Sequence, residues 1–194
     1  MQVLAIDPGS TQSGYVVYDT ATSDVLESGV AENNDLVDRL HAMNQSVGIM
    51  LVMEKPTASG AAMMAQAQLG DVEKLIRTGQ REAAFIALAK ARGSVASAYK
   101  SSGDLIDTAF WFGTFAQAAG YTPETVASVT RNDVKRVLRV GPGTGTVDAR
   151  VWQAIVQGYG EGADRKGGRL HGVKSHARQA LAAAIAWVQI NRWN

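Results

Sequence analysis

The chain has 194 residues, 46% hydrophobic and 19% charged, which suits one domain with a real core and argues against a mainly disordered chain. It has no cysteine, which excludes disulfide scaffolds, thiol nucleophiles, zinc ribbons and iron–sulfur clusters together. Its net charge of +1 conceals a division: residues 1–130 hold 8 Lys/Arg against 14 Asp/Glu, residues 131–194 hold 11 against 4, and no acid lies between Arg165 and Arg178.

Val3–Ile6 is a short apolar run closed by Asp7-Pro8-Gly9, and reads as a buried strand. Gly14–Tyr18 and Val25–Ala31 follow at hairpin spacing, which predicts three antiparallel strands in a row. Asn34–Met43 has Leu36, Val37, Leu40 and Met43 at helical spacing, with Asn33 or Asn34 as N-cap. Ile49–Met53 is a strand buried on both faces, ending at Glu54-Lys55-Pro56. Ala61–Ala98 is rich in Ala, Gln, Lys and Met and broken at Gly79, a helical hairpin that reads as an insertion.

Asp104–Ala119 is an amphipathic helix carrying Phe110, Trp111, Phe112 and Phe115, with one face suited to core packing and another left exposed; Asp107 at its start is structural. Val126–Val129 is a strand, and Thr130 caps a helix through Leu138, with Asp133 placed as in a capping box. Gly141–Gly145 is a flexible loop, Val147–Gln157 a helix, Gly158–Gly172 a mobile basic loop and Ser175–Asn191 a closing, Ala-rich helix. The order indicates an α/β three-layer fold with a mixed sheet.

Two acids stand out. Asp7 ends the first strand, where a fixed backbone and low-dielectric surroundings suit a hard divalent cation, Mg²⁺ or Mn²⁺; the alternative is a turn-initiating Asp. Glu54 ends the fourth strand, and the alternative there is an acid paired with Lys55. If those strands are neighbours the carboxylates converge and repel unless a cation bridges them, a constellation for two-metal phosphodiester hydrolysis. The purity of sign in the basic block favours a polyanion partner over plain solvated surface without deciding between them. His41, His171 and His176 are too far apart for an HExxH zinc site. No apolar run has the length of a membrane span, and the N-terminal MQVLAID has no export signal, so a soluble cytoplasmic protein is expected.

The segments LAIDPGSTQSGY, LVMEKP, VTRNDVKRVL and GVKSHARQALAAAIAW, in that order, resemble the RuvC-like Holliday-junction resolvases of the RNase H-like superfamily, those of phages and prophages most of all. The resemblance covers about 1–57 and 104–194 and leaves about 61–103 as a helical insertion in a single nuclease domain spanning 1–194. It implies an RNase H-like fold with a mixed five-stranded sheet. It also implies a metal-dependent endodeoxyribonuclease that acts as a homodimer on four-way or branched DNA.

Residue by residue, it gives Asp7 and Glu54 as the first two metal-binding acids, and, in place of an acid pair on the last helix, His176 as a metal ligand and Gln179 as a neutral, weaker one. Asp148 is a helix N-cap or a substitute for the acid missing at 179. Lys135 would stabilise charge on the scissile phosphate, or is one more exposed lysine. Arg131, Lys135, Arg136, Arg139, Arg165, Lys166, Arg169, Lys174 and Arg178 are the candidate DNA contacts. Competing readings are a non-catalytic branched-DNA-binding protein, motivated by the uncharged Gln179, and an RNA-processing nuclease of the same fold. An actin-like phosphotransferase ranks last, since it needs two such halves to enclose a nucleotide.

Overall fold

The apolar runs form one mixed sheet. β1 (Gln2–Asp7), β2 (Gln12–Asp19) and β3 (Asp24–Glu32) are antiparallel neighbours; β4 (Ile49–Glu54) and β5 (Ala127–Val129) add in parallel beyond β1. The order is β3-β2-β1-β4-β5. Parallel neighbours need long crossovers, and α1 (Asn33–Met43) provides the one into β4. The remaining helices are α2 (Gly60–Arg77), α3 (Arg81–Ala118), α4 (Arg131–Val137), α5 (Val147–Tyr159) and α6 (His176–Asn191). The structure is a computed structural model that describes residues 1–43, 49–57 and 60–192, without side chains at 60–66 and 96–102. No helix among these residues is long and apolar enough to cross a membrane.

The chain divides into two compact units, Met1–Pro56 with Thr108–Asn194, and Thr57–Asp107. In the second, α2 and the first part of α3 meet at a turn where Gly79 has φ +75°, a conformation costly for any residue with a Cβ. Val72, Ala84 and Ala91 are its buried apolar residues among those described. In the first unit, strand alternation sends side chains to two cores. Leu4, Ile6, Leu51 and Met53 pack with Leu36 and Leu40 of α1 and with Phe112 and Phe115 of α3. Val3, Ala5, Val16 and Val52 pack on the other face with Val134 of α4, Val151 and Ile155 of α5 and most of α6. Helices therefore cover both sides of the sheet, the α/β three-layer arrangement expected.

Four local expectations are corrected. The second helix of the hairpin and the aromatic helix are one helix, since α3 runs unbroken for 38 residues. The residues between them contain no proline, and a lone glycine costs only about 1 kcal/mol in a helix, too little to end it. Asn33 does not simply cap α1: it is buried, accepts from Ser13 Oγ at 2.6 Å and donates to the Gly9 carbonyl at 3.0 Å. The N-cap of α5 is Thr146, whose hydroxyl accepts from the Ala149 amide at 3.2 Å, so Asp148 lies inside the first turn. The 158–172 loop is anchored, with Ala163 and Leu170 buried, Leu170 N bonded to Ala163 O at 2.8 Å, and Arg169 tied to Asp24. The capping box of α4 is present in full: Thr130 accepts from the Asp133 amide at 3.1 Å while Asp133 accepts from the Thr130 amide at 3.0 Å.

Candidate active site

Two facts of register bring the acids together. β1 and β4 run parallel with Ile6 opposite Met53, so Asp7 and Glu54 come next, side by side at the same edge of the sheet. Alternation then puts both on the face of Ala5 and Val52, towards α6. That helix lies close on the sheet because its inner residues are small: Ala180, Ala182, Ala183, Ala184 and Ala186 have no exposure at all. Gly14 completes the approach. It sits opposite Asp7 on β2, and a Cβ there would stand 2.2 Å from the His176 carbonyl carbon. The first turn of α6 thus presses on the strand, and His176 Nδ1 lies 2.9 Å from Asp7 Oδ2. This hydrogen bond raises the His176 pKa above the ordinary imidazole value.

The loop between β1 and β2 is held from three directions. The Gly9 amide donates to Ser13 Oγ at 3.0 Å, Asn33 holds the Gly9 carbonyl, and Trp111 Nε1 donates to the Ser10 carbonyl at 3.0 Å. None of Ser13, Asn33 or Trp111 is marked for this task by any local sequence pattern. Ser13 is fully buried, beside the apolar run of β2.

Glu54 is 13% exposed, and its partner is Arg131, whose Nη1 donates to Oε2 at 3.2 Å. The same guanidinium also donates to Gln179 Oε1 and pairs with Asp148. Burial pushes the Glu54 carboxyl up to about 7; Arg131 opposes the rise and the neighbouring Asp7 charge adds to it. An acid that holds its proton more tightly when folded makes the protein lose stability as pH rises from its unfolded pKa to its folded one. In EDTA, stability should fall between pH 4.5 and about 7 and then level off for this group, by at most roughly 3 kcal/mol. The raised His176 pKa adds a further decline above pH 6.5. Urea unfolding of wild type and Glu54→Gln at pH 5 and pH 8 separates the two, because only the Glu54 part vanishes in the variant. An equal pH dependence in both proteins would mean that Glu54 is ionised throughout.

No protein-family model matches the chain, and no curated protein matches it. Among solved structures, T. thermophilus RuvC in complex with Holliday junction substrate aligns over 100% of this chain and 96% of that one, with 18% identity and a TM-score of 0.50. The fold is that of RuvC. A second structure, of Thermus thermophilus RuvC, aligns over 100% of this chain and 97% of that one, with 17% identity and a TM-score of 0.48. The mixed five-stranded sheet with helices on both of its faces is the architecture that the sequence resemblance implied.

On this RuvC-fold scaffold the predicted site residues separate into groups. Asp7, Glu54, His176 and Gln179 gather at one sheet edge, with Arg131 and Asp148 joined to them. Lys135 and Arg139 lie instead around an open cavity of about 480 Å³, with Arg136, Arg150 and the Gly141-Pro142 turn. Arg136 is paired with Asp133 at 2.8 Å. Arg165, Lys166 and Lys174 are exposed on the chain leading to α6. Arg169 is bonded to Asp24 and to the Thr22 carbonyl, and Arg178 stacks on Trp152 with its guanidinium 4.4 Å from the ring centre.

The donor set fits one hard cation. Mg²⁺ commonly takes one or two carboxylates and keeps water or phosphate oxygen for the rest, and Asp7 and Glu54 supply that pair. A second ion finds poorer donors, since Gln179 is neutral and both Gln179 and Asp148 hold Arg131. Among the described residues no group of three or more His, Asp or Glu side chains is arranged to hold a metal.

Proposed function

We propose that the protein is a structure-selective DNA endonuclease that hydrolyses phosphodiester bonds in four-way or branched DNA with the help of Mg²⁺ or Mn²⁺. The observation that carries this reading is the pairing of Asp7 and Glu54 at neighbouring strand ends, facing α6, with His176 against Asp7. The association of the RuvC fold with a Holliday junction in the T. thermophilus complex supports the choice of branched DNA.

Asp7 and Glu54 would hold the ion; when bound, it supplies Lewis acidity to the phosphodiester and acidifies water. His176 fixes the Asp7 carboxylate in orientation, as a hydrogen-bonded neighbour of a ligand does. Arg131 does the same for Glu54. Lys135, Arg139 and Arg150, grouped around one concavity, and the exposed Arg165, Lys166 and Lys174 would follow the DNA backbone, so that shape and phosphates are read ahead of base edges. Two symmetric cuts need two sites, which a two-fold homodimer provides. The helical unit Thr57–Asp107 is an insertion in the nuclease domain on this reading, and the compartment is the cytoplasm.

Four-way, three-way and linear DNA, each incubated with the protein in Mg²⁺, Mn²⁺ or EDTA, test the proposal. Cleavage should favour the four-way substrate, need a metal and stop in EDTA. The uncharged Gln179 favours one competing reading, a branched-DNA-binding protein without catalysis. Tight binding with no cleavage in either metal would establish that reading in place of the first.

A further inference from the structure

Arg131 joins three elements through one guanidinium. It donates to Glu54 Oε2 at the end of β4, to Gln179 Oε1 on α6, and pairs with Asp148 in the first turn of α5. Its own backbone is set by the Thr130 capping box at the start of α4. Arg131 is 24% exposed and Glu54 13%, so their attraction is only partly screened by water. A guanidinium cannot lose its charge and presents a planar fork of donors, so it holds several oxygens at once where a metal ion would otherwise gather them.

We propose that Arg131 is a resident cation standing where a second metal ion would bind, so that the site takes one divalent ion, shared by Asp7 and Glu54. This rests on the nuclease reading and specifies its metal requirement. The argument is one of shared oxygens and of charge. A guanidinium hydrogen-bonded to Glu54 competes with an ion for that carboxylate, which would be shared with a single ion held together with Asp7. Asp7, Glu54 and Asp148 are three carboxylates; one divalent ion and one guanidinium neutralise them. A second divalent ion would leave an excess of positive charge beside Gln179, whose neutral amide is buried and bonded to Arg131. Arg131 also stands ready to supply its charge to a phosphate oxygen, the task a second ion performs in two-metal sites.

Mn²⁺ binding without DNA, followed by the electron-spin-resonance signal of the free ion, tests this apart from any activity. Wild type should bind one ion per chain, and the double variant Arg131→Met/Gln179→Asp, which removes the guanidinium and restores an acid, should bind two. Two ions or none on wild type, or a single ion on a double variant with a native circular dichroism spectrum, would overturn the proposal. If the double variant does not fold, Arg131→Met alone decides: freeing Glu54 should tighten the single Mn²⁺ site by about tenfold, equivalent to roughly 1.4 kcal/mol, and an unchanged or weaker Kd counts against it. A wild-type chain that binds one ion and cuts no DNA would defeat the nuclease reading and leave the resident cation standing. One that cuts DNA with two ions bound would do the reverse.

Discussion

Asp7→Asn should lower the rate of DNA cleavage by about 10³-fold or more, a rise of roughly 4 kcal/mol in the barrier, while DNA binding stays intact or tightens. The side chain is 16% exposed and bonded to His176, and asparagine has nearly the same shape, so the loop and α6 have little reason to move. What changes is charge. The carboxylate that would hold the ion becomes an amide, and its repulsion of the DNA backbone disappears with it. Cleavage and gel-shift measurements on the same four-way DNA, the latter in EDTA, read the two effects separately. A wild-type cleavage rate in the Asn variant would remove Asp7 from the chemistry.

The second large effect is structural and comes from a residue with no side chain. Gly14→Ala should cost about 3 kcal/mol or more, at the upper end of what overpacking a core costs, and should depress cleavage beyond what the loss of folded protein explains. The added Cβ would lie 2.2 Å from the carbonyl carbon of His176, and both groups are backbone-fixed, so no rotamer change relieves the clash. The first turn of α6 has to lift from β2, and the contact between His176 and Asp7 opens. Urea unfolding measures the first effect. The NMR titration of His176 measures the second, because its pKa should fall back towards the ordinary imidazole value once Asp7 is out of reach. Wild-type stability together with an unshifted His176 titration would show that the helix does not depend on Gly14.

The strands, the two strand-end acids and the Thr130–Asp133 capping box were legible in the sequence, because each is written in a few adjacent residues: an apolar run, a turn signal, a cap and its partner three residues on. Arg131 was legible only as one more member of a basic block. Its role depends on β4 pairing with β5 in the register that sets Glu54 beside Val129, so that Thr130 and Arg131 emerge next to a carboxylate 77 residues earlier. No local pattern encodes that pairing. The same holds for Trp111, whose indole reaches the Ser10 carbonyl 101 residues away. Its position in an aromatic stripe spoke for packing, which Phe112 and Phe115 perform, while Phe110 remains 63% exposed. Asp148 does not cap α5, because the residue two places before it, Thr146, does that work and frees the acid to reach Arg131.

The meeting of Asp7 and Glu54 rests on parity. Each acid lies two residues beyond a strand residue packed towards α6, Ala5 in one strand and Val52 in the other. The strands thus measure in steps of two, and the site inherits that measure. Inserting or deleting residues in the outer turns changes nothing in the count. A single residue added to or removed from β4 between Val52 and Glu54 would turn the acid to the face of Leu36 and Phe115, into a packed apolar core, while Asp7 stayed in place. Sequences that drift apart elsewhere can therefore keep this pair only by keeping the lengths of two short strands odd or even together, a constraint on spacing and not on the identity of any residue between them.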